Sequence, residues 1–308
     1  MKKFTIYAFA VLPMVFWSMT FIWYKIVLEY IGPVSVTFFR LILASLILMV
    51  VTKYFIKTKE KLVKKDYLYL LLLSFFEPFI YFMGESFGMQ YVSPTIAAVI
   101  ISTIPVVTPV FAFRILNERL NIYNIVGLTL SFAGVVIIIV NPSSSADFTV
   151  KGIMLLLMAV MGAVGYGITV KKLAANYSSL TITKYQSIIG CFLFMPFYFV
   201  FEHRTTVQNI GISVSDGTFS VLILTLVQMS LFASVMAFVL IIRPIREIGI
   251  SKTNVFTNLI PVFTAVISYF YLKESFDIQK ILGISVVISG IVMSQIKGVF
   301  RKKTLQIM

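Results

Sequence analysis

The sequence predicts an all-α polytopic membrane protein with ten transmembrane helices, arranged as two inverted-topology five-helix repeats. Three observations carry that prediction. Hydrophobic residues make up 59% of the 308 and charged residues only 12%, with a mean hydropathy of +0.98, whereas charged residues reach ~25% in soluble domains. Long apolar runs recur ten times along the chain. Residues 93 to 140 align without a gap to residues 249 to 296, and 13 of those 48 positions are identical.

A helix needs ~20 apolar residues to cross ~30 Å of hydrocarbon, and lipid leaves no partner for the backbone groups of an exposed loop or sheet edge. Each apolar run is therefore read as a helix. In order they lie near residues 5 to 28, 34 to 56, 67 to 89, 94 to 115, 122 to 140, 152 to 171, 180 to 201, 218 to 242, 250 to 272 and 278 to 297. The first follows Met1, Lys2 and Lys3, yet it continues past signal-peptide length through Trp17 and Trp23 without a small-residue cleavage site. It is expected to be a retained span.

Lysine and arginine concentrate in the short loops that stay in the cytoplasm. With the N-terminus inside, 19 of the 26 fall on the cytoplasmic side, among them the cluster KYFIKTKEKLVKK. Both termini are expected inside a bacterial inner membrane. The same clustering accounts for the net charge of +14 through topology and anionic lipid headgroups, so nucleic acid is not an expected partner.

Five spans per half is an odd number, so the second copy enters the membrane upside down relative to the first. Residues 1–141 are expected to form one repeat and 150–308 the other, with a site near the midplane between them. Their N-terminal parts also match, but at an offset of 146 positions, whereas the later blocks match at 156. The difference is assigned to an outer loop around EHRTTVQNIGISVSDG, which holds the single histidine, His203, and is expected to be the flexible piece.

The identical positions have distinct physical roles. Pro105 and Pro261 each remove a backbone donor in mid-span, which makes them candidate hinges. Gly127 with Gly134, and Gly283 with Gly290, lie on one helix face and permit close contact, expected at a seam within each half. Glu118 and Glu274 precede the next span, where the positive end of a helix favours a carboxylate.

FWSMTFIWYK in the first span, PVSVTFFR in the second, and IPVVTPVFAFRILNERLNIYNIVGLTLSFAGVVIIIV with its second copy together resemble the EamA-type branch of the drug/metabolite transporter superfamily. The resemblance covers nearly the whole chain, and the Pro, Glu, Gly, Gly ladder present twice in register is its strongest element. It implies ten helices in two inverted halves. It also implies carriage of amino acids, other metabolites, nucleoside-like compounds or toxic organic molecules across the inner membrane, often outward.

Three ionisable residues within spans fall outside the repeat: Arg40, Glu77 and Glu85. A charge in a span costs about 2.5 to 3.5 kcal/mol on insertion scales, so each is expected to face a partner or a watery cavity. Arg40 and Glu85 sit about 9 Å and 6 Å from the outer ends of their spans. A salt bridge between them is the default expectation. Glu77, near the midplane and followed by Pro78, has no cation at its depth and is the proton-coupling candidate.

The ninth span offers Asn254, Thr257 and Asn258, the two asparagines on one face, where their counterparts in the first copy are Ala98, Ile101 and Ser102. They are candidates for hydrogen bonding to a polar solute or between helices. Trp17, Tyr81 and Tyr166, with Phe39 and Tyr185, are candidate cavity walls.

No HExxH, GxSxG or phosphate-binding glycine loop is present, and GAVGYG at 162 to 167 lies inside a span, where close packing explains it better. One cysteine, Cys191, and one histidine offer nothing for a disulfide framework or a histidine-based metal site. No enzymatic activity and no cofactor are expected. The expected function is secondary active transport of a small organic, amino-acid-like solute, outward and proton-coupled. The alternatives are an importer of a nucleoside-like or other metabolite, a channel, or a membrane-embedded enzyme.

Overall fold

The computed structural model describes residues 3–56, 60, 62–117, 121–139, 149–271 and 278–294. Helices account for almost all of them. α1 is Lys3–Val27. α2 begins at Pro33–Val50 and runs on through a wider turn to Ile56. α3 runs from Asp66 to Gly88 and breaks within Phe75–Ile80. α4 comprises Pro94–Ile101 and Ile104–Leu116, and α5 is Ile122–Ile139. α6 is Val150–Leu173. α7 starts as Ser179–Phe197 and, after a wide turn, continues as His203–Ser215. α8 spans Phe219 to Ile248. α9 comprises Ile250–Asn254, a tight turn at Val255–Asn258, and Leu259–Tyr271. α10 is Ile278–Ser294.

Eight of the ten are long and apolar enough to cross a membrane. α5 and α10, at 18 and 17 residues, are ~26 Å long at 1.5 Å per residue and close to the hydrocarbon thickness. The ten helices follow the ten apolar runs in order. Glu118 and Glu274, read above as helix caps, lie outside the described residues, as do the residues beyond 294.

The repeat is visible in where helices break. α4 is interrupted at Ser102 and Thr103, and α9 tightens at Val255–Asn258, which ends at Asn258, the counterpart of Ser102. Pro105 and Pro261 each stand in the first turn of the segment that follows. There a missing N–H leaves no helical bond unmade. Both candidate hinges therefore sit in mid-span, each at the start of a half-helix.

Packing interlocks the two copies. α1 lies chiefly against α8 and α9, while α6, its counterpart, lies against α3 and α4. Two like-with-like pairs complete the molecule, α2 along α7 and α5 along α10.

The glycine seam differs from the sequence expectation, because it joins the halves and does not lie within one. A Cβ on Gly134 would stand 2.6 Å from the backbone nitrogen of Val287 and 2.7 Å from the carbonyl of Gly283. A Cβ on Gly290 would stand 2.6 Å from the carbonyl of Gly127. Glycine spacing defines a face of a helix and leaves its partner unspecified, and here the partner is the same face of the other copy.

The expected flexible outer loop is also corrected. His203–Ser215 is a helix that prolongs α7, with Thr206 and Ser213 buried and the remaining side chains half-buried or exposed. Its alternation of polar and apolar residues suits a helix with one wet face. The backbone at Glu202 (φ −125, ψ −13) marks the join.

Candidate functional site

A cavity opens at the centre of the bundle, with about 660 Å³ of space between atoms, mouth included. α1, α2, α3, α4, α6, α8 and α9 all contribute to its wall; α5, α7 and α10 do not. It therefore draws on both copies. Trp17, Arg40, Glu77, Tyr81, Glu85, Tyr166 and Asn254 line it together.

The break in α3 places the first carboxylate. Glu77 has an extended backbone (φ −147, ψ 117) inside an otherwise helical stretch, and its bond to Pro78 is cis. An interrupted helix leaves a carbonyl without its usual donor. Here Gln186 of α7 supplies one, its Nε2 donating to the Glu77 carbonyl at 3.2 Å. The Glu77 side chain is buried and forms no hydrogen bond or ion pair among the described residues. GAVGYG serves the same region, since Gly162 brings α6 close to the Phe76 carbonyl.

Arg40 is 1% exposed, and its guanidinium is held on three sides. Its Nε donates to the Ser234 hydroxyl at 2.5 Å and its Nη1 to the Tyr24 hydroxyl at 3.4 Å. Its centre stands 4.3 Å from the middle of the Phe82 ring, a cation–π contact strengthened by the absence of water. Tyr24 in turn shares a hydrogen bond with Ser86 at 2.9 Å, as does Thr37.

The expected Arg40 to Glu85 salt bridge does not form. Among the described residues the only ion pair is Arg243 with Glu247, at 2.8 Å on the surface. Glu85 instead accepts from the Tyr81 hydroxyl at 3.0 Å through Oε1. Its Oε2 is buried without a hydrogen-bond partner in the described structure. Similar depth was legible from the sequence, but the direction each side chain takes around its helix was not.

The remaining wall is aromatic and lightly polar. Trp17 donates from Nε1 to the Ala233 carbonyl at 3.3 Å and packs edge-on against Phe238. Tyr166 also meets Phe238 edge-on, and its hydroxyl is buried with no partner among the described residues. Asn254 donates to Thr108 of α4 at 2.9 Å, tying the two broken helices together at the cavity edge.

Asn258 is not part of this wall. It is fully buried and donates to the Ser131 hydroxyl of α5, so it bonds helix to helix. Phe39 and Tyr185 also lie off the cavity. Sequence reasoning missed Thr20 and Phe82, which line it together with the expected Thr257, and Tyr24 and Ser234, which hold Arg40. No His, Cys, Asp or Glu cluster suited to a metal ion occurs among the described residues.

The profile of the EamA-like transporter family matches residues 4–140 and again residues 150–295. The chain belongs to the EamA-like transporter family. Relatives of this EamA-like protein include YetK of Bacillus subtilis (strain 168), 28% identical over 89% of this chain and 81% of its own. YyaM of the same organism is 25% identical over 98% and 96%. A protein of Archaeoglobus fulgidus is 23% identical over 94% and 98%. Each is named only as an uncharacterized transporter. A solved crystal structure with 13% identity superposes with a TM-score of 0.73 over 96% of this chain and 98% of the other; that likeness concerns the fold. The EamA-like protein is thus a multi-pass membrane transporter.

Proposed function

We propose that this EamA-like transporter carries a small organic solute bearing a protonated amine, amino-acid-like in size, outward across the inner membrane by alternating access. The observation that carries this reading is the charge make-up of the cavity. Two carboxylates, Glu77 and Glu85, share it with one guanidinium. That guanidinium is already engaged by Ser234, Tyr24 and Phe82, whereas one oxygen of Glu85 is buried with no hydrogen-bond partner and Glu77 faces the cavity without an ion pair among the described residues.

A buried carboxylate needs a compensating charge or hydrogen bond. An ammonium group meets that need, and the faces of Trp17, Tyr81 and Tyr166 add cation–π attraction where water is excluded. Asn254, already bonded to Thr108, presents a further polar edge. Glu77 is assigned proton exchange because it stands at the α3 break near the midplane. Pro105 and Pro261, at the starts of paired half-helices, are assigned as the points where α4 and α9 bend.

Residues 1–141 and 150–308 act in this reading as the two inverted units, with both termini cytoplasmic. The outward direction rests on the family resemblance. A metabolite profile of medium from cells overproducing the protein, against cells lacking it, tests the reading. Selective accumulation of an amine-bearing compound supports it, and accumulation confined to anionic or neutral compounds overturns the assignment.

A further inference from the structure

α2 and α7 run antiparallel, so each presents its N-terminus beside the far end of the other. A helix N-terminus has N–H groups without helical acceptors and a partial positive charge. At α2 the residue before the helix is Gly32, which has no side chain to accept from them. Glu202, at the turn in α7, does so from outside the helix. Its Oε1 accepts from the Val34 N–H at 3.1 Å, and its Oε2 accepts from the Ser35 N–H at 2.7 Å and the Ser35 hydroxyl at 2.7 Å. The absence of a side chain at Gly32 is what admits the carboxylate, since a Cβ there would stand 2.6 Å from Oε1 of Glu202.

The opposite end is related but not identical, since there Ser178 caps α7 itself, its hydroxyl accepting from the Thr181 N–H at 3.3 Å, and the outside glutamate holds the cap residue. Ser178 begins α7 and is 146 positions after Gly32, the offset at which these parts of the repeat align. Glu60, beyond the end of α2, accepts from the Ser178 N–H and the Ser178 hydroxyl, each at 3.1 Å. Each member of the pair thus receives at its N-terminus a glutamate of the other's chain segment, Glu202 from the turn within α7 and Glu60 from beyond the end of α2. Between the two ends, Phe38 stacks on Tyr198 with ring centres 4.7 Å apart.

We infer that Glu60 and Glu202 are matched clasps that hold α2 and α7 together throughout the transport cycle, making this pair a fixed axis for the helices that wall the cavity. The inference rests on alternating access as proposed above. Both clasps are closed in one and the same conformation, on opposite ends of the pair and therefore on opposite sides of the membrane. α7 contributes nothing to the cavity wall and α2 contributes Arg40 alone. The wall is built instead by α3, α4 and α6 facing α1, α8 and α9, and these two groups are the bodies that the axis leaves free to move. A pair of gates would require one clasp to be open while the other is shut.

The test uses a Cys191→Ser protein carrying Ala163→Cys in the cavity wall, together with Ser35→Cys and Thr206→Cys. The native hydroxyls of Ser35 and Thr206 lie 2.6 Å apart, so oxidation joins the pair beside the Glu202 clasp. A membrane-impermeant thiol reagent is then applied to right-side-out and to inverted vesicles, and labelling of position 163 is timed before and after reduction.

An axis predicts labelling from both sides at rates that change less than twofold on reduction. Loss of labelling from one side, restored by reduction, makes this end a gate and overturns the axis. Labelling from one side only in the reduced protein overturns alternating access, and the axis with it. In a second variant without the cysteine pair, Gly32→Ala puts a methyl where the carboxylate sits. It is expected to slow labelling from both sides alike; slowing from one side only, or no change, overturns the clasp.

Discussion

Arg40 and Glu85 face the same cavity without forming an ion pair. Each instead takes a neutral partner, Arg40 the hydroxyls of Ser234 and Tyr24 and Glu85 the hydroxyl of Tyr81. The cavity consequently offers carboxylate oxygens that no cation of the described residues contacts directly, and several outcomes follow from that arrangement.

Arg40→Lys keeps the charge but loses the planar fork that reaches Ser234 and Tyr24 together while covering Phe82. Hydrogen bonds from a charged donor contribute about 1.5 to 3 kcal/mol. Transport of the accumulated amine is expected to fall at least about tenfold, with the protein still present in the membrane at its normal level. Uptake into inverted vesicles, normalised to protein, checks this.

Glu77→Gln retains the shape at the α3 break and the bond from Gln186 to the backbone carbonyl, and removes only the ionisable group. Transport is expected to lose its response to an imposed pH gradient while binding of the amine persists. Full retention of that response would remove Glu77 from the proton pathway.

Asn254 and Asn258 are expected to separate cleanly. Asn258→Ala removes the bond to Ser131, worth about 0.6 kcal/mol on average for such bonds within membranes, and should lower thermal stability with KM unchanged. Asn254→Ala alters the cavity edge and should change KM. Paired melting and transport measurements distinguish them.

At the α5 to α10 seam, Gly134→Ala forces the backbones of the two copies apart. Overpacking of this kind costs about 1 to 3 kcal/mol, so the melting temperature in detergent is expected to fall. Gly211→Ala, inside a helix and with nothing within 4 Å of the added carbon, is expected not to lower it, since alanine favours the helix by about 1 kcal/mol.

Glu60 lies outside the spans and gives the clasp at the start of α7 a pH dependence. Burial works against its charge, but hydrogen bonds from Thr181 and Ser178 and the nearby Arg246 outweigh it and hold the carboxyl below its ordinary value. A depressed folded value means that the stabilisation is complete above the ordinary carboxylate value and disappears as pH falls through the lower, folded one. The melting temperature of the native protein is expected to exceed that of Glu60→Gln at neutral pH, with the difference closing in acid.

Much of this architecture was legible because lipid removes alternatives. An apolar run long enough to cross must be helical, and an ionisable side chain within it must face something polar, which singled out Arg40, Glu77 and Glu85 from sequence alone; that Arg40 and Glu77 share one cavity was not legible. Direction around the helix axis was not legible. Arg40 and Glu85 share a depth but turn to different partners, and Gly134 and Gly290 define a face whose partner is the other copy. Ser234 and Thr20 are not legible because a hydroxyl in an apolar helix most often bonds back to its own backbone, as Thr108 does to Ile104 at 2.7 Å. The polar stretch after Glu202 has the composition of a loop, and a helix with one wet face has that composition as well.

The most direct test of the central claim is counterflow in proteoliposomes with a panel of labelled small amines, each run beside its N-acetylated form. The two differ at the nitrogen that Glu77 and Glu85 are proposed to receive. Saturable exchange of at least one amine, absent for its acetylated form and abolished in Glu85→Gln, is the predicted result. Equal exchange of the acetylated form, or exchange indifferent to Glu85, would contradict the account.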